Sequence, residues 1–144
     1  MSTAEEAFAA ALVAEHAAVF GYGLVGARLD SSTLALATQA ELAHRARRDV
    51  LVARLTERGA KAPVAEPAYS LPEPVTDQAS ALKLAVGIEE RTAAVWRAAL
   101  LSTDGDDRRV AVDALTDCAI RATRLRRAAN VSPSTVPFPG RLST

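Results

Sequence analysis

Three glutamates and one histidine stand out because each lies among apolar residues at helical spacing. Glu15 falls within a heptad-like apolar stripe of its segment, and Glu89 occupies a similar position further along the chain. Between them, Glu41 and His44 form a Glu-x-x-His motif, whose spacing places both side chains over one helical turn. A carboxylate in a protein core is costly unless a positive group compensates it. We therefore predict that Glu15, Glu41, His44 and Glu89 converge at the centre of a helical protein.

Four helical segments must position these residues, and turn-forming residues separate the segments. We predict helices at about 3–29, 33–58, 77–101 and 106–129. Ser2 or Thr3 can cap the first helix, and Gly59 is typical of the position that follows a helix. Four prolines within residues 59–76 exclude a continuous helix there. Residues 130–144 are also rich in proline, which predicts an extended tail.

The lengths of the connections indicate how the helices pack. Short loops after the first and third helices favour two antiparallel hairpins. The connection formed by residues 59–76 is long enough to run the length of a bundle. One long crossover between two hairpins is the connectivity of ferritin-like bundles. We therefore predict an all-α, ferritin-like four-helix bundle in which residues 1–144 form a single domain.

Several runs of sequence resemble an actinobacterial family of unknown function with a ferritin-like domain. The similar runs are AEHAAVFGYGLVGARL, ELAHRARRD and EERTAAVWRAAL, and the similarity extends over nearly the whole chain. One Glu, a Glu-x-x-His and a further Glu on successive helices also resemble the di-iron carboxylate pattern. The resemblance implies the fold, and it implies Glu15, Glu41, His44 and Glu89 as metal ligands. The family itself implies no activity.

The fourth helix departs from the di-iron pattern. A second Glu-x-x-His would fall near Cys118 and Arg121, so neither expected ligand is present. A two-metal oxidase site needs bridging carboxylates and open positions on both metals. We therefore expect no redox catalysis of the usual ferritin type, and we favour a protein that is not an enzyme. Cys118 lies on an apolar stripe and is predicted to be an inert core residue.

Three interpretations remain for the acids. In the first, arginines neutralise them, because Arg48 on the second helix and Arg121 or Arg124 on the fourth are placed to point inward. A guanidinium group can pair with two carboxylates. In the second, one Fe, Mn or Zn ion binds the four candidate ligands, since three oxygens and one imidazole suit each of these metals. In the third, the helix phases are shifted and the acids face solvent. We favour the first, which requires no cofactor.

Composition and charge narrow the possible functions. The 144 residues include 32 alanines, and 17 basic residues balance 17 acidic ones. No overall charge therefore draws the chain to nucleic acid or to a membrane. The single cysteine excludes an intrachain disulfide and predicts a cytoplasmic location. Glu15 and His16 interrupt the apolar run of the first helix, which we predict to be neither a signal peptide nor a membrane span.

Three glycines, Gly21, Gly23 and Gly26, lie inside the first predicted helix. A glycine in a helix interior costs up to about 1 kcal/mol relative to alanine. We therefore expect close packing against a bulky side chain such as Trp96.

These observations predict a non-catalytic scaffold or interaction module, and we expect a homodimer because alanine-rich helices gain from added burial. The alternative is a protein that binds a single metal ion at the four candidate ligands. A second alternative is an adaptor whose basic fourth helix contacts an acidic protein or RNA through Arg121, Arg124, Arg126 and Arg127. No aromatic residues alternate with these arginines, which disfavours stacking on single-stranded nucleic acid.

Overall fold

Four α-helices make up most of the protein in a computed structural model, which describes residues 2–142. The helices are α1 (Ala4–Gly26), α2 (Ser31–Glu57), α3 (Gln78–Ala99) and α4 (Gly105–Ala128), and a short 3₁₀ helix (Leu100–Ser102) follows α3. No strand occurs within residues 2–142. The predicted all-α class is therefore confirmed.

Local chemistry accounts for the ends of the helices. Thr3 begins α1 with a reciprocal pair of hydrogen bonds: the Glu6 backbone N–H donates to Thr3 Oγ1 at 3.1 Å, and the Thr3 backbone N–H donates to Glu6 Oε2 at 2.9 Å. Gly59 follows α2 with a φ of 68°, a left-handed conformation that glycine adopts at low cost. α1 ends at Gly26 rather than at the predicted Leu29, because the chain turns there toward the start of α2.

Two apolar clusters fill the bundle, one toward each end. The first, the Phe8 cluster, includes Phe8, Leu12, Leu51, Leu55, Trp96 and Ala111, and the second, the Tyr22 cluster, includes Tyr22, Val25, Leu82, Ile88 and Leu125. The Phe8 cluster joins the N-terminal half of α1 to the C-terminal halves of α2 and α3 and to the N-terminal half of α4. Therefore α1 runs antiparallel to α2 and α3, and α3 runs antiparallel to α4. The predicted pair of antiparallel hairpins is confirmed.

The connection between α2 and α3, residues 58–77, runs along the bundle as a strap. Ala60 packs on the Phe8 cluster, whereas Leu71 packs on the Tyr22 cluster at the other end. Between these points Tyr69 lies against Phe20 of α1, with ring centroids 5.3 Å apart. The predicted long crossover is therefore confirmed, and it covers part of α1.

Alanine forms much of the buried face of α2. Ala37 and Ala40 are buried, whereas Leu34 and Leu42 are 41% and 62% exposed. Small side chains allow the neighbouring helices to approach closely in this N-terminal half of α2, whereas Leu51 and Leu55 are buried in the C-terminal half. Of the α2 residues predicted to point inward, His44 is therefore buried, whereas Glu41 and Arg48 lie beside the buried face.

α1 is largely apolar because α2, α3 and the strap pack around it. Its mean hydropathy of 1.5 over an 18-residue window would suffice to cross a membrane by composition and length, a property that buried core helices share. Gly21 marks the closest approach, since a Cβ there would lie 2.5 Å from Ile88 Cδ1. The bulky neighbour is thus Ile88, and the predicted packing against Trp96 is wrong. A Cβ at Gly23 would meet no atom within 4 Å.

Candidate functional site

Glu15, His44 and Glu89 meet at the centre of the bundle, between the two apolar clusters, and each is at most 1% exposed. His44 lies between the two carboxylates: its Nδ1 is 2.5 Å from Glu15 Oε2, and its Nε2 is 2.9 Å from Glu89 Oε1. A carboxylate oxygen accepts hydrogen bonds, so each ring nitrogen must carry a proton to make both contacts. The geometry therefore describes an imidazolium ion held between two carboxylates.

Two aromatic side chains donate further hydrogen bonds to this centre. Trp96 Nε1–H donates to Glu15 Oε1 at 2.8 Å, and the Tyr22 hydroxyl donates to Glu89 Oε1 at 2.7 Å. Tyr22 lies seven residues after Glu15, and Trp96 lies seven residues after Glu89. Because α1 and α3 are antiparallel, the aromatic residue two turns beyond each glutamate reaches the glutamate of the other helix. This spacing is the sequence signal that would have identified both donors.

Arg121 of α4 completes the compensation of charge. Its Nε–H donates to Glu89 Oε1 at 3.1 Å, and its side chain is mostly buried. Two carboxylates thus face one imidazolium and one guanidinium, so the centre is neutral overall. Arg121 lies where the arginine interpretation placed it. Arg124 does not, because Leu125 takes the buried position on this part of α4 and Arg124 is exposed.

Two predicted members of the centre on α2 lie outside it. Glu41 is 29% exposed and accepts a hydrogen bond from Arg45 at 2.8 Å. Arg48 donates to Asp49, its neighbour in sequence, at 3.0 Å. Their predicted inward placement is wrong because the buried face of α2 passes through Ala40, His44 and Leu51, and Glu41 and Arg48 lie beside it. When His44 points to the centre, Glu41 is turned toward the surface.

The surroundings of His44 and Glu89 stabilise their charged forms. Burial lowers the pKa of His44, but the hydrogen bonds and charges of Glu15 and Glu89 outweigh burial and raise this pKa from 6.5 to about 9. Burial raises the pKa of Glu89, yet the hydrogen bond and charge of His44, with the charge of Arg121, hold it below its ordinary value. At neutral pH the ion pairs are therefore formed.

The other carboxylate oxygen of Glu89, Oε2, is buried and has no hydrogen-bond donor among the described residues. A cavity of about 90 Å³ lies beside Glu89 and Cys118, and tail residues 136 and 139–142 form its outer wall. Burial, followed by the charge of Glu89, raises the pKa of the Cys118 thiol well above its ordinary value. The thiol therefore remains protonated, which makes it a poor nucleophile.

This centre does not fit a transition-metal site. A histidine ligand needs a free lone pair on one ring nitrogen, and both nitrogens of His44 face carboxylates. Both oxygens of Glu15 already accept hydrogen bonds, and Glu41 lies toward the surface. Within residues 2–142, no three His, Cys, Asp or Glu side chains are arranged to hold a metal ion. The four ligands implied by the resemblance therefore do not come together.

Comparison with known proteins places the chain in a family. Residues 7–143 match the family described as a domain of unknown function, DUF4439. The chain is similar to a solved structure, that of a conserved hypothetical protein, rv2844, from Mycobacterium tuberculosis. The two share 40% sequence identity over 94% of this chain and 97% of that chain, with a TM-score of 0.85. No curated protein matches the chain. The chain therefore belongs to the DUF4439 family, whose function is unknown.

Proposed function

We propose that this protein is a ferritin-like bundle in which an internal ion network replaces the metal centre, and that it acts as a non-catalytic scaffold or interaction module. The observation that carries the proposal is the position of His44, whose two ring nitrogens are both engaged by carboxylates. Two hairpins joined by a lengthwise crossover support the ferritin-like assignment, since this is the connectivity of that group.

The ion network gives such a scaffold a defined helix register. Glu15 on α1 accepts hydrogen bonds from α2 and α3, and Glu89 on α3 accepts them from α1, α2 and α4. Displacing one helix by a turn would leave a buried charge unpaired, which costs about 3–5 kcal/mol. Alanine-rich faces alone discriminate poorly between registers, because their side chains are small and uniform. The network therefore holds one arrangement of all four helices.

We propose that the outer faces of the helices bind the partner. We also propose that the protein functions as a homodimer in the cytoplasm. Val13 on α1 and Leu42 on α2 are exposed apolar side chains that a second copy would cover. The adaptor alternative is weaker because two arginines of α4 are used internally. Arg121 pairs with Glu89, and Arg126 donates to Glu90 at 2.7 Å.

Metal analysis of protein purified without chelator tests the central claim. We expect substoichiometric Fe, Mn and Zn and a melting temperature that chelator does not change. Glu89→Gln should lower the free energy of unfolding by about 3–5 kcal/mol, because it leaves buried cations unpaired. The matched variant Glu41→Ala should change it by at most about 0.5 kcal/mol, since it removes only an exposed i,i+4 pair. A stoichiometric transition metal that is lost in Glu89→Gln would refute the proposal.

Light scattering coupled to size-exclusion chromatography tests the dimer. A dimer that Leu42→Glu dissociates, with the helical circular dichroism unchanged, is the expected result. A monomer at all accessible concentrations would contradict the homodimer and leave the ion network unaffected.

A further inference from the structure

A large groove lies between the end of the strap, the N-terminal half of α3 and the C-terminal end of α4. Its volume is about 880 Å³, and its walls include Leu82, Val86, Ala129 and Val131. Pockets for small molecules have volumes of about 300–1,000 Å³ and mostly apolar walls with a few polar groups. The groove has the size and the lining of such a pocket.

The groove contains five charged side chains. Four of them form two ion pairs, and the fifth is a cation that is in neither pair. Lys83 is paired with Glu73 at 2.8 Å, and Arg126 is paired with Glu90 at 2.7 Å. Arg91 lines the same groove, is exposed, and has no ion-pair partner within residues 2–142. The groove therefore carries one net positive charge, at Arg91.

Gly87 makes room for this guanidinium. A Cβ at Gly87 would lie 2.9 Å from Arg91 Nη1 and 3.6 Å from Arg91 Cζ. The guanidinium thus lies against the backbone of α3 at Gly87. A glycine in a helix interior lowers helix stability by up to about 1 kcal/mol relative to alanine. Gly87 thus leaves space for the Arg91 guanidinium but lowers the stability of α3.

We propose that this groove binds a small amphipathic carboxylic acid, whose carboxylate pairs with Arg91 and whose apolar chain lies on Leu82, Val86 and Val131. A guanidinium fork matches a carboxylate with two parallel hydrogen bonds. The charge of the groove selects a monoanion over RNA or an acidic peptide, because a polyanion needs several free cations and the other two are already paired. The groove is separate from the buried ion network, so the proposal stands or falls independently of the proposed function.

Calorimetric titration of the full chain with dodecanoate tests the proposal, and dodecanol serves as the uncharged comparison. We expect dodecanoate to bind with a negative heat-capacity change, as burial of apolar surface requires. Dodecanol should bind at least about tenfold more weakly, because it lacks the charge-assisted contact with Arg91. Equal binding of the two probes, or no binding of dodecanoate, would overturn the proposal.

Variants locate the contact. Arg91→Gln should weaken dodecanoate binding about tenfold or more and leave dodecanol binding unchanged. Arg97→Gln is the matched control, because Arg97 is an exposed arginine of the same helix outside the groove, and it should bind dodecanoate like the wild type. If Arg97→Gln weakens binding as much as Arg91→Gln does, the effect is unspecific and the assignment fails. The proposal would also be overturned if the groove were occupied by a polyanion or by a second copy of the chain, so that dodecanoate did not bind.

Discussion

The protonated state of His44 makes the stability of the bundle depend on pH in a specific direction. In the folded protein its pKa is about 9, against 6.5 for an unperturbed histidine. The folded state therefore keeps a proton that the unfolded state loses between these two values. A pKa difference of this size corresponds to about 3 kcal/mol of stability. This contribution is fully present below about pH 6.5 and is lost as pH rises through about 9.

Urea unfolding monitored by far-UV circular dichroism, at pH values from about 6 to 10, measures this loss. Between pH 6.5 and 9 the free energy of unfolding of the wild type should fall by up to about 1.4 kcal/mol per pH unit. His44→Gln, which cannot be charged, should lack this slope. Burial raises the pKa of Tyr22 and of Cys118 well above their ordinary values, so each also lowers stability where its unfolded form titrates, above about pH 8.5. Both proteins share this contribution, so the difference between wild type and His44→Gln isolates His44.

The second histidine supplies a matched control. His16 is half-buried on α1, where its Nε2 is 3.0 Å from the Pro63 carbonyl oxygen of the strap. His16→Gln removes a histidine outside the ion network, so the slope assigned to His44 should persist in this variant. With only two histidines in the chain, the His16→Gln spectrum also assigns the NMR resonances of His44, whose titration can be followed even if His44→Gln does not fold. A His44 resonance that titrates near pH 6.5, or equal slopes for wild type and His44→Gln, would refute the imidazolium.

Two further predictions concern packing and are measured by thermal or urea unfolding. Gly21→Ala should be less stable than Gly23→Ala by about 1 kcal/mol or more, because its new methyl group must displace the end of the Ile88 side chain, whereas the position of Gly23 is open. A Gly21→Ala protein as stable as Gly23→Ala would contradict the observed packing of α1. Trp96→Phe should cost about 1–3 kcal/mol, because it leaves one buried oxygen of Glu15 without its donor; a neutral result would mean that this hydrogen bond contributes nothing.

Much of the fold followed from the sequence because prolines, glycines and caps divide the chain clearly. The connection lengths then determined the two hairpins and the crossover. Glu15 and Glu89 were placed correctly in the core because each lies among large apolar residues at helical spacing, with an aromatic residue two turns further on. Such spacing fixes the phase of a helix when the large side chains point inward.

On α2 the same reasoning failed, and the reason is physical. In the N-terminal half of α2, Leu34 and Leu42 are exposed and Ala37 and Ala40 are buried, although Leu51 and Leu55 in the C-terminal half are buried as leucines usually are. Helices that approach closely select small side chains at the contact, so hydrophobicity alone assigns the wrong face. For this reason Glu41 is predicted to lie in the centre, whereas in the structure it lies toward the surface. The metal interpretation therefore includes a ligand that is not in the centre.

The position of Glu15 also has a consequence for the chain during its synthesis. α1 leaves the ribosome long before α3, whose last residue, Ala99, follows 73 residues after Gly26; at about 5–20 residues per second the delay is about 4–15 s. During that interval α1 is an apolar segment of the length that translocation machinery recognises. Glu15 lies at its midpoint, where a charged side chain makes transfer into lipid costly. The Glu15 carboxylate, which accepts hydrogen bonds in the folded core, thus also disfavours insertion of the newly made helix into a membrane.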